Sequence, residues 1–165
     1  MDAKSIYGWK TKIGLLVPSC NAVIEPEFNA MRPPGYSVHV ARIFLTEGSA
    51  KNLERMSEDT EGAAELLSTA AVDIAAYACT TGSLVKGLGW DQELIRRIEK
   101  ITRAPATTTA TAVIAAFKEL KIRKVAIASP YNEELNKLEK DFFEAHGIKV
   151  LTIKGLDLSA EGMYR

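Results

Sequence analysis

The stretch YACTTGS contains the residues whose side chains are best suited to catalysis or binding. In it, Cys79 ends a run of small apolar residues. Hydroxyl groups, and the backbone amides that Gly82 leaves accessible, can hold a carboxylate or an oxyanion. If the stretch opens a helix, its unpaired amides lower the pKa of the thiol and favour the nucleophilic thiolate. We therefore expect a catalytic thiolate at Cys79, ionised at neutral pH. The hydroxyl residues that follow it are Thr80, Thr81 and Ser83.

Other thiol chemistries lack their partner residues in this sequence. His39 falls inside a predicted strand and His146 at the far end of a predicted helix, so neither is placed as the base of a Cys-His pair. A low-molecular-weight phosphatase would need an arginine where Val85 stands. Without metal-ligand spacing, the thiol would add to an activated double bond or transfer a proton beside a carboxylate. The alternative is a buried, inert cysteine that packs at a strand end.

The order of strands and helices predicts how the thiol is positioned. Apolar runs with strand character are separated by segments whose apolar residues recur at helical spacing. This pattern indicates an α/β fold of βαβ units with a parallel sheet, in which ligands bind at the carboxyl ends of strands. Cys79 follows such an end. The predicted strands are 12–17, 36–45, 72–78, 124–129 and 149–153, and the predicted helices are 19–31, 51–71, a segment from Ser83 broken near Gly87 to Gly89, 91–103 with Asp91 as N-cap, 107–120 and 132–146.

Two stretches repeat the same opening of a βαβ unit. KIGLLVPSCN at 12–21 and KVAIASPYNE at 124–133 share a lysine, an apolar run and a proline in register. The repeat predicts two similar lobes, the first over residues 1–110 with Cys79 and the second over 111–165. The counterpart of Cys79 would fall beyond Arg165. We therefore expect an incomplete second lobe, in a fragment or a shortened two-lobed protein; chance likeness of two openings is the alternative.

Composition narrows the class of protein further. The chain has 165 residues, 47% of them hydrophobic, and its 21 basic residues equal its 21 acidic ones. Length and apolar content predict one domain, or slightly more, with a substantial core. The sequence has no basic block, no apolar run of membrane-spanning length and no signal-peptide pattern. We therefore expect no nucleic-acid partner and no membrane association, and we expect a cytoplasmic location.

Four ordered motifs, which together cover nearly the whole chain, resemble those of one known family. They are similar to the maleate cis-trans isomerase and arylmalonate decarboxylase branch of the Asp/Glu racemase superfamily. The resemblance implies two pseudo-symmetric α/β lobes facing each other across a cleft, no metal or organic cofactor, and a small carboxylate or dicarboxylate substrate. The motifs are GLLVPSCNAVIEPE at 14–27, YACTTGSLVKG at 77–87, APATTTATAVIAAFKEL at 104–120 and KVAIASPYNEELN at 124–136.

The resemblance also assigns roles to individual residues. Decarboxylases of this branch have glycine where this sequence has Cys79, so the likeness favours an isomerase whose thiolate adds to the double bond of a substrate such as maleate. Rotation about the resulting single bond and loss of the thiolate would give fumarate. A racemase, a decarboxylase-like enzyme and a non-catalytic carboxylate-binding module remain alternatives. The residues implied at the substrate are Pro18, Ser19, Asn21, Thr80, Thr81 and Tyr131.

Further expectations follow from the missing part of the second lobe. In the family each lobe offers a cysteine position, and the second is absent from this sequence, so residues 1–165 should be catalytically impaired. Cys20 stands where a hydroxyl residue is more common, and we interpret it as a small turn residue rather than as the redox partner of Cys79. An incomplete lobe exposes apolar surface. We therefore expect a homo-oligomer.

Overall fold

The computed structural model describes residues 6–159 and Gly162, and within them it has the α/β architecture that the sequence predicts. Every strand pair in this part of the chain is parallel. The strands are β1 (Thr11–Pro18), β2 (Tyr36–Ile43), β3 (Ile74–Tyr77), β4 (Ala106–Thr108), β5 (Lys124–Ser129) and β6 (Lys149–Gly155). The helices are α1 (Ile24–Met31), α2 (Ala50–Glu58), α3 (Thr60–Thr69), α4 (Trp90–Thr102), α5 (Thr109–Glu119) and α6 (Glu133–Ala145).

The main sheet has the strand order β2-β1-β3-β4, and β1 is its most deeply buried strand. Alternate residues of β1 serve different cores, as the pleat requires. Leu16 packs under α2, α3 and α4, whereas Leu15 and Val17 face α1. A slip of one residue would turn each of these side chains to the wrong face. Because both faces of β1 are buried, its register against the neighbouring strands is fixed.

A second sheet contains β5 and β6 alone. Its covered face packs against α5 and α6 in a core that includes Ile114, Phe142 and Phe143. Exposed and partly buried residues alternate along β5, so the opposite face has no covering layer among the described residues. Helix α6 also inserts Leu135 into the core of the first sheet, and this contact ties the two sheets together.

The two repeated openings fold in the same way. The first forms β1, α1 and β2, and the second forms β5, α6 and β6, each a helix between parallel strands. The chain thus contains two pseudo-symmetric units, of which the second is the smaller. Strand β4 belongs to the first sheet, and the helix after it begins at Thr109. The division into residues 1–110 and 111–165 would fall inside that helix and stays a prediction.

The long helix predicted over residues 51–71 is wrong as a single element. Two helices, α2 and α3, meet at Asp59, where the backbone leaves helical geometry. The buried residues Met56, Thr60 and Ala63 continue one helical stripe across the bend. Because the apolar period is unbroken, the sequence carries no sign of this bend.

Three further boundaries differ from the sequence prediction because tertiary contacts outweigh local pattern. Residues 106–108 form the edge strand β4 beside β3, although a helix was predicted from 107. Helix α1 begins at Ile24 rather than near residue 19. Asp91 is not the N-cap of α4, which is Gly89; the Asp91 carboxylate lies inside the first turn and accepts a hydrogen bond from Thr111 Oγ1 at 2.6 Å.

Helix α6 carries a glutamate on its buried face. Asn132 is its N-cap, and the Asn132 side chain accepts from the Leu135 backbone N–H at 3.0 Å. Glu139 is only 7% exposed, and its Oε2 has no hydrogen-bond partner in the described part of the chain. Burial raises the pKa of this carboxyl.

This raised pKa predicts a loss of stability as pH increases. A carboxyl whose pKa is higher in the folded state stabilises the fold fully below its unfolded value of 4.5, and that contribution is lost as pH rises through the folded value. We expect the free energy of unfolding, measured by urea denaturation, to fall over this range and to fall less in Glu139→Gln. Glu144→Gln, an exposed change on the same helix, should retain the wild-type fall; an equal fall in both variants would contradict the buried charge.

Candidate active site

A cavity of about 220 Å³ lies where the carboxyl ends of the two sheets approach each other. Three turns build its wall: the turn after β1, the turn after β3 and the turn between β5 and α6. A wider depression of about 600 Å³ adjoins it. Five of the residues predicted for the site line the cavity together, namely Asn21, Cys79, Thr80, Thr81 and Tyr131.

The pairing of β1 with β3 brings the first two turns together. The paired residues of these strands end with Leu16 opposite Tyr77. The Ala78 backbone N–H donates to the Leu16 carbonyl at 2.8 Å and extends the pairing to the cavity edge. Because the carboxyl ends of adjacent parallel strands lie at one edge of a sheet, the residues that follow each strand share a wall of the cavity.

The thiol lies at the start of a tight turn rather than of a helix. Residues Thr81–Ser83 form a single 3-10 turn in place of the helix predicted from Ser83, and the next α-helix begins at Trp90. The Gly82 backbone N–H donates to Cys79 Sγ at 3.4 Å. One amide, rather than the several at a helix terminus, therefore faces the sulfur.

Crowding at this turn requires the glycine that the sequence places there. A Cβ on Gly82 would lie 2.9 Å from Met56 Cε, 2.9 Å from the Tyr77 hydroxyl oxygen and 3.0 Å from Cys79 Sγ. A close-packed interior has no slack to accommodate an added methyl group so near three atoms. Glycine thus lets the backbone amide approach the sulfur.

Burial raises the pKa of the Cys79 thiol to about 11, although the Gly82 amide and the Thr81 side chain act in the opposite direction. A second thiol, Cys20, raises it further. The expectation of a thiol ionised at neutral pH is therefore wrong for this structure, because desolvation raises the pKa by more than one amide and one hydroxyl lower it.

The three hydroxyl residues after the thiol have different surroundings. Thr81 is buried beside the sulfur, and Thr80 lines the cavity. Ser83 is fully buried and has a structural role: its hydroxyl donates to the Thr80 carbonyl at 2.7 Å and accepts from the Ala110 backbone N–H at 3.3 Å. These bonds tie the thiol turn to α5.

Asn21 combines a structural role with a place at the cavity. Its Oδ1 accepts from the backbone N–H groups of Val23 at 2.9 Å and Ile24 at 3.1 Å, which satisfies donors at the start of α1. The carbonyl half of the amide is thereby engaged, so the Nδ2 group is the half that can donate to a ligand. The capping bonds fix the orientation of that donor.

Two predicted substrate residues, Pro18 and Ser19, do not line the cavity. Pro18 is the buried last residue of β1. The Ser19 hydroxyl donates to the Leu45 carbonyl at 3.2 Å and accepts from the Leu45 backbone N–H at 2.9 Å. Ser19 therefore acts through the loop after β2, which it holds against the end of β1.

An apolar wall faces the polar residues of the cavity, and sequence reasoning missed it. The side chains of Leu45, Leu53 and Leu135 form this wall. Each belonged to an apolar run or stripe that predicted only a core position, so local pattern offered no signal for a cavity. Cys20, interpreted as a small turn residue, also lines the cavity, and burial raises the pKa of its thiol.

Tyr131 reaches the cavity from the second sheet, and its turn is held by hydrogen bonds. Its backbone N–H donates to Ser129 Oγ at 3.2 Å, and its carbonyl accepts from Asn136 Nδ2 at 3.2 Å. Ser129 and Asn136 are themselves buried and hydrogen-bonded to each other at 2.5 Å. This buried pair positions the tyrosine turn.

Both histidines lie away from the thiol. His39 Nε2 lies 2.9 Å from Ser37 Oγ on β2, and His146 Nδ1 lies 2.8 Å from the Phe142 carbonyl oxygen at the end of α6. Neither lines the cavity, as the sequence predicts. Over residues 6–159 and Gly162, no cluster of three or more potential metal-ligating side chains occurs. In the same part of the chain, no helix is long and apolar enough to cross a membrane.

Fold and site together define an α/β protein that carries a cysteine, hydroxyl donors and an amide donor at the carboxyl ends of parallel strands. The sequence profile of the arylmalonate decarboxylase family matches residues 13–163. The chain belongs to this family, and the resemblance that its motifs indicate is confirmed.

Relatives named maleate isomerase span the chain but are longer than it. The Pseudomonas putida protein is 29% identical over 159 residues, covering 89% of this chain and 64% of the relative. The Geobacillus stearothermophilus protein is 28% identical, with the same shares. The crystal structure of the maleate isomerase Iso variant from Pseudomonas putida S16 with maleate superposes with a TM-score of 0.88 at 28% identity, covering 93% of this chain and 66% of that one. The chain thus spans just under two thirds of these proteins.

The crowding around Gly82 predicts opposite effects of two glycine substitutions. Gly82→Ala should lower the free energy of unfolding by about 1–3 kcal/mol, because the added methyl group displaces the sulfur or its neighbours. Gly62→Ala, on α3 with no atom within 4 Å of the added Cβ, should raise it by about 0.5–1 kcal/mol through helix propensity. Urea denaturation measures both. Equal stability of Gly82→Ala and the wild type would contradict the crowded turn.

The burial of the Cys79 sulfur predicts slow alkylation at neutral pH. In a Cys20→Ser background, the rate of reaction with iodoacetamide should lie below that of free cysteine at pH 7.5 and should still be rising above pH 9, because only the thiolate reacts. Mass spectrometry of the modified peptide measures the rate. A rate that levels off below pH 8 would show that the thiol ionises readily after all.

Proposed function

We propose that this chain provides the nucleophile-bearing part of a cofactor-independent isomerase of the maleate cis-trans type. The observation that carries the proposal is the cavity in which Cys79 lies beside threonine, asparagine and tyrosine side chains. The chain's family and its maleate isomerase relatives support the proposal. So does the structural similarity to a maleate isomerase crystallised with maleate.

In the proposed reaction, the Cys79 sulfur adds to one alkene carbon of a small cis dicarboxylate. The sulfur lone pair forms the C–S bond, while the π electrons move to the neighbouring carbon and its carboxylate. The former double bond is now single and rotates. When the C–S bond breaks, its electron pair returns to sulfur, and the double bond forms again in the trans isomer with no net change in atoms or electrons.

Donors around the sulfur would stabilise the charge that develops in this step. Addition turns one carboxylate into an enolate-like group with more negative charge on its oxygens. Thr80, Thr81 and Tyr131 would donate to those oxygens, and the Asn21 Nδ2 group to the other carboxylate. Such bonds favour the transition state over the ground state because they strengthen as the charge grows.

The raised pKa of Cys79 adds a requirement to this mechanism. The thiol proton must leave as the C–S bond forms, and neither histidine lines the cavity. We assign the acceptor role to a carboxylate oxygen of the substrate itself. Protonation there neutralises part of the developing charge, and the same oxygen returns the proton to sulfur on elimination.

The test combines turnover with binding. Proton NMR with maleate should detect slow fumarate formation by the wild type and by Cys20→Ser, in line with the impairment expected for residues 1–165, and Cys79→Ser should abolish it, because serine is a far weaker nucleophile. Amide shifts of residues 79–82 on adding maleate should persist in Cys79→Ser.

Unchanged turnover in Cys79→Ser would overturn the nucleophile assignment. Maleate binding by the wild type without turnover would instead favour a carboxylate-binding role for this chain. Absence of amide shifts would overturn the proposed site altogether.

A further inference from the structure

Tyr77 places a buried hydroxyl group beside the Cys79 sulfur. Its side chain is fully buried in the core of the first sheet. Residues two apart along a strand face the same side, so Tyr77, the last residue of β3, points in the direction of Cys79. The surroundings of Gly82 agree with this placement: Tyr77 Oη and Cys79 Sγ both lie within 3.0 Å of the point that a Cβ on Gly82 would occupy.

This tyrosine hydroxyl makes no hydrogen bond of regular geometry in the described part of the chain. Buried tyrosine hydroxyls usually have a partner, and a buried donor without one destabilises the fold. Burial, and after it the nearby Cys79, raises the pKa of Tyr77 far above its usual value of 10.0. Tyr77 therefore keeps its proton at neutral pH and remains a hydrogen-bond donor.

The Thr60 hydroxyl lies beside the Tyr77 hydroxyl. Thr60 is the fully buried first residue of α3, directly after the bend at Asp59. Its side chain lowers the pKa of Tyr77, against the larger effect of burial, which shows that the two hydroxyls are neighbours. Thr60 Oγ1 likewise has no hydrogen bond of regular geometry among the described residues. If Thr60 donates to Tyr77 Oη, the tyrosine proton is left to donate to a third group.

The Cys79 sulfur is the acceptor that these surroundings offer to the tyrosine proton. Met56 Cε, which also lies close to this point, is a methyl carbon and cannot accept. A thiol accepts hydrogen bonds weakly, whereas bonds to an ionised acceptor are roughly twice as strong as neutral ones. The Tyr77 donor is therefore poorly satisfied while Cys79 holds its proton, and it becomes satisfied when the sulfur is charged.

We propose that the Tyr77 hydroxyl donates a hydrogen bond to the Cys79 sulfur when that sulfur carries negative charge, and that Thr60 positions the hydroxyl. The bond stabilises the charged sulfur as it attacks the substrate and as it leaves, and it weakens in the neutral thioether between these steps. Tyr77 thus acts on the sulfur from the core, whereas Gly82 and Thr81 act on it from the turn. The hydrogen bond itself is independent of the reaction, but its effect on turnover rests on the proposed function.

Alkylation of Cys79 tests the hydrogen bond without any turnover. In the Cys20→Ser background, Tyr77→Phe should lower the rate of reaction with iodoacetamide at pH 8.5 by at least about threefold. Loss of a hydrogen bond to a charged group reduces the thiolate fraction by about tenfold or more, and the greater nucleophilicity of a more basic thiolate offsets part of this loss. Besides Cys79, the ionisable side chains that line the cavity are Cys20, which this background removes, and Tyr131.

A matched tyrosine and the Thr60 hydroxyl provide the controls. Tyr36→Phe, at the start of β2 and outside the cavity, should leave the alkylation rate unchanged. Thr60→Val, which removes the hydroxyl at nearly constant volume, should slow alkylation in the same direction as Tyr77→Phe. Thr60→Ser retains the hydroxyl and should react at the wild-type rate.

Stability separates this role of Tyr77 from a purely structural one. Because the hydroxyl has no good acceptor while the thiol is protonated, Tyr77→Phe should unfold at a urea concentration no lower than the wild type at pH 7. A hydroxyl that served the fold through a structural hydrogen bond would give the opposite result, namely a lower urea midpoint and an unchanged alkylation rate.

An unchanged alkylation rate in Tyr77→Phe, an equal fall in Tyr36→Phe or slow alkylation of Thr60→Ser would overturn the proposal. With maleate, proton NMR should show fumarate formation at least about threefold slower in Tyr77→Phe than in the wild type. Slower alkylation with unchanged fumarate formation would overturn the catalytic role of Tyr77. Absence of fumarate from the wild type would count against the proposed function alone, because the alkylation rates test the hydrogen bond separately.

Discussion

Parallel pairing of β1 with β3 is the constraint on which the cavity and its chemistry depend. The turn with Asn21 and the turn with Cys79 lie far apart in sequence, and they share a wall only because their strands end at the same sheet edge. The free energy that holds this pairing comes from burial of Leu15, Leu16 and Val17 on two opposite faces. Each such side chain contributes about 1.5–3 kcal/mol when removed from water. The position of the site therefore follows from the position of β1, which burial in the core determines.

Two opposing effects act on the Cys79 sulfur, and their balance decides what the thiol can do. The tight turn supplies one amide and one hydroxyl, while the crowded surroundings remove water, and water loss is the larger effect. A helix terminus would have supplied several aligned amides, but Thr81–Ser83 is too short to provide them. A thiol with a raised pKa reacts slowly with oxidants and alkylating reagents, because the reactive species is the thiolate. In the mechanism that we propose, it becomes a nucleophile only when a bound reactant accepts its proton, so its reactivity depends on occupancy of the cavity.

The sequence is informative about the order of strands and helices along the chain and about which residues follow strand ends, because both depend on local periodicity and on proline and glycine. Cys79 was predicted on that basis, whereas Asn21 and Tyr131 were implied by the family resemblance, and the structure brings all three to one cavity. The bend at Asp59 could not be predicted, because the apolar stripe continues through it. The sign of the Cys79 pKa shift was predicted wrongly for a related reason: hydroxyl neighbours are visible in the sequence, whereas burial results from distant contacts. The leucine wall was missed because a cavity wall and a core have the same local pattern.

The two repeated units share one backbone arrangement, but equivalent residues in them have different roles. Aligning Pro18 with Pro130 puts Ser19 and Tyr131 at equivalent positions, yet the serine hydroxyl bonds to the backbone of Leu45 while the tyrosine lines the cavity. In the second unit the backbone is closely packed: a Cβ on Gly155 would overlap the Tyr131 carbonyl oxygen. Only glycine permits the end of β6 to approach the tyrosine turn so closely. The similarity of the two units therefore lies in their strands and helices, and the chemistry of the cavity arises where their turns diverge.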